Sequence, residues 1–213
     1  MEEFLQRWEG SPNLKNAELI DGIVYIPWPV TLAHATLYMG VIFWLGSYRQ
    51  ATQGCQAAKN CTWFMLDSVP QPDMFLRILL SHGGQSGNRG PYASGAPELA
   101  VEICQTSTEV DFGPKLALYQ RAGVREYITV ETLGRRIAWR VLDNGGYVTQ
   151  QAGADGILRS QIFPGLWLDV AAFWADDGAK MLAALNAGLA SEDHQRFVER
   201  LAAARKLPQQ SSG

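Results

Sequence analysis

Residues 97–119 read PELAVEICQTSTEVDFGPKLALY, and the fold depends on how this stretch divides. Leu99 to Cys104 is a short apolar run with one carboxylate, Glu102, near its centre. A polar link from Gln105 to Val110 follows, and from Asp111 the spacing predicts a helix carrying Lys115 and Tyr119 on one face. An acid inside a buried strand is costly unless a cation pairs with it. The pattern offers two cations, a metal ion and Lys115. Upstream, Pro72-Asp73 ends a polar turn and begins another apolar run, MFLRILL. Proline fixes the backbone so that Asp73 stands at the strand entrance rather than in mid-core. Two acids on neighbouring strands, followed by a lysine on a helix, point to a metal-dependent phosphodiesterase.

The residue types suit that chemistry. Mg²⁺ prefers hard carboxylate oxygens and keeps several waters. It neutralises charge on a scissile phosphate and lowers the pKa of a bound water, while a nearby lysine steadies developing charge. Asp73, Glu102 and Lys115 supply these parts, and Glu18, at the mouth of an upstream hairpin, adds a further carboxylate. Each residue also has a plainer account. An aspartate after proline is a common turn residue, and Glu102 fits an exposed sheet face. Lys115 fits a solvated helix surface, where Asp111 caps the helix and pairs with it at a spacing of four. Tyr119 reads as packing.

The bulk composition narrows the classes. The chain has 213 residues, 47% apolar and 18% charged, enough for a sizeable core and against global disorder. A net charge of -3 argues against a general polyanion-binding surface, so nucleic acid would be held by a local patch. The three cysteines, Cys55, Cys61 and Cys104, show no CxxC spacing; they read as buried free thiols in a reducing compartment, with pairing or metal ligation by Cys55 and Cys61 as the alternative. The start, MEEFLQRWEG, is acidic and amphipathic rather than a signal peptide. The longest apolar stretch, Leu37 to Leu45, falls far short of the roughly 20 residues that span a bilayer. A cytoplasmic protein without membrane contact is the expectation.

Along the chain, a short N-terminal helix is predicted around Phe4, Leu5 and Trp8, ending near Gly10-Ser11-Pro12. Asp21-Gly22, flanked by apolar residues, predicts a β-hairpin that ends at Pro27 and Pro29. A helix is predicted from Thr31, its N-cap, to about Thr52, with His34 in the first turn as a surface or hydrogen-bonded residue. Short strands follow at Cys61 to Leu66 and Met74 to Leu80. Residues 82–97, HGGQSGNRGPYASGAP, hold five glycines and two prolines and read as a mobile surface loop. Gly123 stops the Lys115 helix. A strand from Glu126 to Glu131 and a hairpin around Asp143-Asn144-Gly145-Gly146 come next, then short apolar segments at Ile157 to Gln161 and Leu166 to Leu168. From Asp176 the composition turns to Ala-rich helices. These divide the chain into a domain over residues 1–175 and a helical extension with a frayed tail over residues 176–213.

In order, the chain shows ELIDG, Pro29 ahead of His34, Pro72-Asp73, PELAVEI, the run from Ser107-Thr108 through Asp111 and Lys115 to Tyr119, and AGVREY. This succession resembles the Uma-two family of restriction endonucleases, within the PD-(D/E)xK nuclease superfamily, over roughly Ala17 to Leu168. The resemblance implies a restriction-endonuclease-like α/β fold, a mixed central β-sheet flanked by helices with the site at a sheet edge. It assigns Asp73 and Glu102 as metal-binding acids, Lys115 as the lysine on the helix after the acidic strand, and Glu18 as the early glutamate. The superfamily's usual lysine, two places after the glutamate, is replaced here by Cys104.

The expected function is therefore hydrolysis of DNA phosphodiester bonds by an Mg²⁺-dependent endonuclease, or with Mn²⁺ in its place. A catalytically silent nuclease-fold module that binds nucleic acid or a protein partner is the alternative. A structural dimer without metal leaves Glu102 unexplained. A homodimer is expected from the apolar faces after Asp176. Arg121 and Arg125, near the end of the Lys115 helix, and Arg77 and Arg89, bordering the glycine-rich segment, are expected to contact phosphates.

Overall fold

In the computed structural model, the described residues are 1–11, 13–14, 16–26, 29–104 and 108–205. The chain begins with helix α1 (Glu2–Glu9), and the Asp21-Gly22 turn then joins strands β1 (Glu18–Ile20) and β2 (Ile23–Tyr25). Both turn residues have positive φ, as a tight hairpin demands. Helix α2 (Leu32–Ala51) starts where the Thr31 side chain accepts the His34 amide, so the predicted N-cap is present. Strands β3 (Cys55–Lys59), β4 (Trp63–Phe64) and β5 (Met74–Ile78) follow.

The segment expected to be a mobile surface loop instead contains two short strands. Strands β6 (Gly87–Arg89) and β7 (Tyr92–Ser94) form an antiparallel pair, and β7 also pairs in parallel with β4. Gly90, at φ +60°, makes the turn between them. Buried Arg77 fixes this unit, donating to Gln56 Oε1 at 2.7 Å, the Gly87 carbonyl at 2.8 Å and Asn88 Oδ1 at 2.9 Å.

Strand β8 (Leu99–Cys104) is the acidic run of the opening stretch, and all six of its residues are buried. The helix after it is broken. A short helix α3 (Thr108–Asp111) ends at Asp111, and α4 (Pro114–Ala122) starts three residues later, with Pro114 at its first position. Proline lacks the N–H that a continuous helix would use, but its fixed φ suits a helix start. Asp111 is therefore not the N-cap. Gln105 to Ser107, part of the expected link, lie outside the described residues, as do Pro12 and Pro27.

Strands β9 (Glu126–Glu131), β10 (Arg136–Asp143) and β11 (Gly146–Thr149) form an antiparallel meander. The six-stranded sheet runs β11-β10-β9-β8-β5-β3; β8 and β9 are parallel and its other pairs antiparallel, which makes the sheet mixed. A two-stranded ribbon, β12 (Ile157–Arg159) and β13 (Trp167–Asp169), leads to helices α5 (Val170–Trp174), α6 (Gly178–Leu189) and α7 (Glu192–Ala204).

Alternation along the strands gives the sheet two faces. Val101, Ile103, Leu76, Ile128, Val130 and Trp139 pack against Trp44, Leu45 and Tyr48 of α2, with Phe173, Met181, Leu185, Phe197 and Leu201 from the last three helices. The apolar faces after Asp176, the motive for expecting a homodimer, thus lie in the chain's own main core. On the other face, Phe75, Ala100 and Tyr127 pack under Leu118 and Tyr119 of α4, beside Ile20, Trp63 and Ala93. This second face carries Glu102. No helix among the described residues is long and apolar enough to cross a membrane, and the three cysteines are free thiols.

Candidate active site

The acids meet because of register. Glu102 pairs with Thr129 on β9, and Met74, which opens β5, pairs with Val101, so Asp73 arrives beside Glu102 at the end of the strand. Two hydrogen bonds tie the acids together: the Ile103 amide donates to Asp73 Oδ2 at 2.7 Å, and the Asp73 amide makes a long 3.4 Å contact to Glu102 Oε2. Tyr38 of α2 donates at 2.6 Å to the Asp73 carbonyl, which holds the strand entrance in place.

Lys115, at the second position of α4, is 4% exposed and points into this cluster. Its Nζ lies 3.0 Å from Glu18 Oε2, 3.0 Å from Glu102 Oε1 and 3.5 Å from Asp111 Oδ1. The pairing with Asp111 is therefore present, but it spans the α3–α4 break and is buried rather than on a solvated helix face. Glu18 is held from the other side by the Gln71 amide at 2.6 Å. Tyr119 is more than packing. Its ring meets Tyr127 edge-on, and its hydroxyl donates to Glu102 Oε1 at 2.8 Å.

Glu18, Asp73, Glu102, Asp111 and Lys115 line one cleft of about 230 Å³, together with Asn60, Gln71 and His34. His34, read from sequence as a surface or hydrogen-bonded residue, faces this cleft. The signal available was its place after Pro29 in the ordered succession of motifs. Asn60 and Gln71 carried no signal of their own, because only pairing of β3 with β5 and the Pro70-to-Asp73 bend bring them here.

Three carboxylates pair with one ammonium, and Asp73 adds a fourth negative charge nearby. Burial alone would favour the neutral amine of Lys115, but Glu102, Glu18, Asp111 and Asp73 outweigh it and hold its pKa well above the lysine range. Burial pushes Glu102 well up, with Lys115 opposing and the other acids adding. Burial likewise raises Asp73 to about 6, against Lys115 and the Ile103 amide. The thiol of Cys104, where the superfamily carries lysine, is kept protonated chiefly by burial, with Asp111 adding. It supplies no positive charge.

The donor set suits a hard divalent cation. Glu102 Oε1 is taken by Lys115 and Tyr119, which leaves Oε2 turned to Asp73. Asp73 Oδ1 has no hydrogen-bond partner among the described residues. Among these residues no cluster of three or more His, Cys, Asp or Glu forms a ready metal cage. Two carboxylates with water completing the shell is the Mg²⁺ pattern, and it differs from a Cys/His zinc cage.

The arginines expected to reach substrate are engaged elsewhere. Arg121 pairs with Asp21 at 2.6 Å, Arg125 donates to Gln85 at 3.0 Å, and Arg89 stacks on Phe64. Arg77 is buried in the β6–β7 unit. None of the four lines the cleft.

A mixed sheet with helices on its faces and acids converging at a strand end is a restriction-endonuclease-like α/β fold. The chain belongs to the Uma2 family, described as "Putative restriction endonuclease", whose family model matches residues 1–171. Among curated proteins there is no match. A solved structure from Anabaena variabilis, titled as a putative nuclease belonging to DUF820, is similar with a TM-score of 0.54 and 13% identity. The match covers 79% of this chain and 90% of that one, and at this identity it bears on the fold alone.

Proposed function

We propose that this protein is an endonuclease that hydrolyses DNA phosphodiester bonds with Mg²⁺, or Mn²⁺ in its place, held by Asp73 and Glu102. The observation that carries the reading is the convergence of Asp73, at the entrance to β5, Glu102 of β8 and Lys115 of α4 in one cleft. Family membership supports it. A divalent ion there would neutralise phosphate charge and lower the pKa of the attacking water.

The chain's own residues have separate tasks. Lys115, kept as an ammonium by its carboxylate neighbours, is a cation and not a base, and it stabilises charge that develops on the phosphoryl oxygens. Glu18 and Tyr119 hold Lys115 and Glu102 in orientation, through the 3.0 Å ion pair and the 2.8 Å hydrogen bond. Tyr38 and the Ile103 amide do the same for Asp73.

One feature favours the catalytically silent alternative: Lys115 is enclosed by three carboxylates and nearly out of contact with solvent. Plasmid DNA incubated with purified protein separates the readings. Nicking that needs Mg²⁺ or Mn²⁺, stops with chelator and is lost in Asp73→Asn supports the enzyme. Absence of nicking in the wild type under every metal tried supports the silent module.

A further inference from the structure

Two arginines that the cleft does not use lie on its side of the sheet. Glu102 pairs with Thr129, and Thr129 pairs with Ala138 of β10, so the three share a face. Arg136 and Arg140 stand two positions to either side of Ala138 and share that face as well. The separation from Glu102 is two strands, ~10 Å at ordinary strand spacing.

Both guanidinium groups lie over the ring of Phe112, each 5.0 Å from its centre. Phe112 directly follows Asp111, one of the acids around Lys115. Arg140 also lies over Tyr127 at 5.8 Å. Its Nη1 donates to Thr129 Oγ1 at 2.9 Å and more weakly to the Ala138 carbonyl at 3.4 Å. Its other nitrogens meet no acceptor, and no carboxylate pairs with it, among the described residues. Arg136 is 59% exposed at its side chain and makes one ion pair, Nε to Glu131 Oε2 at 3.0 Å.

Two like charges lie against one ring, and among the described residues only Arg136 has a carboxylate partner, so the pair is one counter-anion short. Burial lowers the Arg140 pKa, Tyr127 opposes this, and the Arg136 charge lowers it further. A guanidinium fork on an aromatic platform suits a phosphate oxygen pair with a base or sugar alongside.

We propose that Arg136 and Arg140, braced on Phe112, bind backbone phosphates of the DNA strand that enters the Asp73–Glu102 cleft. The assignment rests on reading that cleft as a phosphodiester site. It supplies the local positive patch that an acidic chain needs, in place of Arg77, Arg89, Arg121 and Arg125. The α3–α4 break has a role in this arrangement, because it sets Phe112 between the acid cluster and the two arginines.

Fluorescence anisotropy with a labelled DNA duplex, in Ca²⁺ buffer over a range of salt, tests the proposal. Arg136→Gln and Arg140→Gln should each weaken binding about tenfold and reduce the salt slope by about one. Arg140→Lys keeps the charge but loses the fork, and should recover only part of the affinity. Arg136→Gln is a surface change, so its result stands even if Arg140 variants fold poorly. Wild-type affinity and slope in Arg136→Gln and in a folded Arg140→Gln would overturn the proposal, as would failure of the wild-type chain to bind the duplex. Nicking by the wild type with unchanged binding in both variants removes this inference alone. Lost binding in the variants of a protein that nicks no DNA leaves the phosphate site and removes the endonuclease.

Discussion

Replacing Lys115 with methionine keeps the length and apolar stem of the side chain and deletes only its charge. From sequence, that variant is expected to lose cleavage while sparing fold and metal binding. The buried geometry revises the expectation for the fold. Lys115 is 5% exposed at its side chain and serves Glu18 and Glu102 at 3.0 Å and Asp111 at 3.5 Å. Removing one partner of a buried ion pair typically costs about 3–5 kcal/mol, because the other charge is left without compensation. For a chain of 213 residues this corresponds to a fall in Tm of roughly 6–20 °C.

The loss should depend on pH in a defined direction. Burial raises the folded-state pKa of Asp73 and Glu102, and Lys115 opposes that rise, so without the ammonium these two favour folding when protonated and oppose it more strongly when ionised. The deficit relative to wild type should therefore be small near pH 5 and grow as pH rises through neutrality. Adding Mg²⁺ or Mn²⁺ should restore part of the lost stability, since a divalent ion at Asp73 and Glu102 replaces some of the missing charge. Thermal melts of both chains at several pH values, with and without metal, measure all three effects. Lys115→Met melting at the wild-type temperature at pH 8 would refute the reasoning, because Lys115 would then be an ordinary surface lysine.

Two further outcomes follow from residues outside the cleft. Glu126 is fully buried and accepts from Ser160 Oγ at 2.6 Å and the Gln161 amide at 2.7 Å, and burial raises its pKa to about 7. Its contribution is present below the unfolded pKa near 4.5 and fades as pH rises through about 7, so Glu126→Gln should flatten the decline of Tm between pH 5 and 8; an unchanged decline counts against it. At Gly188 of α6, a Cβ would come within 2.8 Å of the Trp167 ring and still closer to the Gly165 carbonyl. Gly188→Ala should lower stability by about 1–3 kcal/mol through overpacking, measured by urea denaturation, and a neutral result would mean that α6 can shift freely.

Much of the architecture was legible because its signals are local. Asp21-Gly22 marked the first hairpin, Thr31 the start of α2, and Gly123, at φ +86°, the end of α4. Asp73, Glu102 and Lys115 were legible as a set, since an acid within an apolar run demands a cation. The strands β6 and β7 were not, because Gly87-Asn88-Arg89 has little strand preference and is held by Arg77 and by pairing with β4. The break at Gly113-Pro114 was visible as a proline but was masked by the even spacing of Asp111, Lys115 and Tyr119. That spacing is kept across the break, which is why Lys115 still reaches Asp111 at 3.5 Å. The apolar faces after Asp176 gave no hint of their partner, since a helix stripe looks the same whether it meets its own core or another chain. Arg136 and Arg140 needed the register of three strands before they could be placed near Glu102.

The central claim is that Asp73 and Glu102 together hold a divalent ion. Isothermal titration of Mg²⁺ and Mn²⁺ into the wild-type chain, Asp73→Ala and Glu102→Gln tests it without relying on a DNA substrate. The account predicts saturable binding of a single ion to the wild type and its loss in Asp73→Ala and Glu102→Gln alike. Binding in Asp73→Ala with wild-type affinity, or no binding to the wild type, would contradict it.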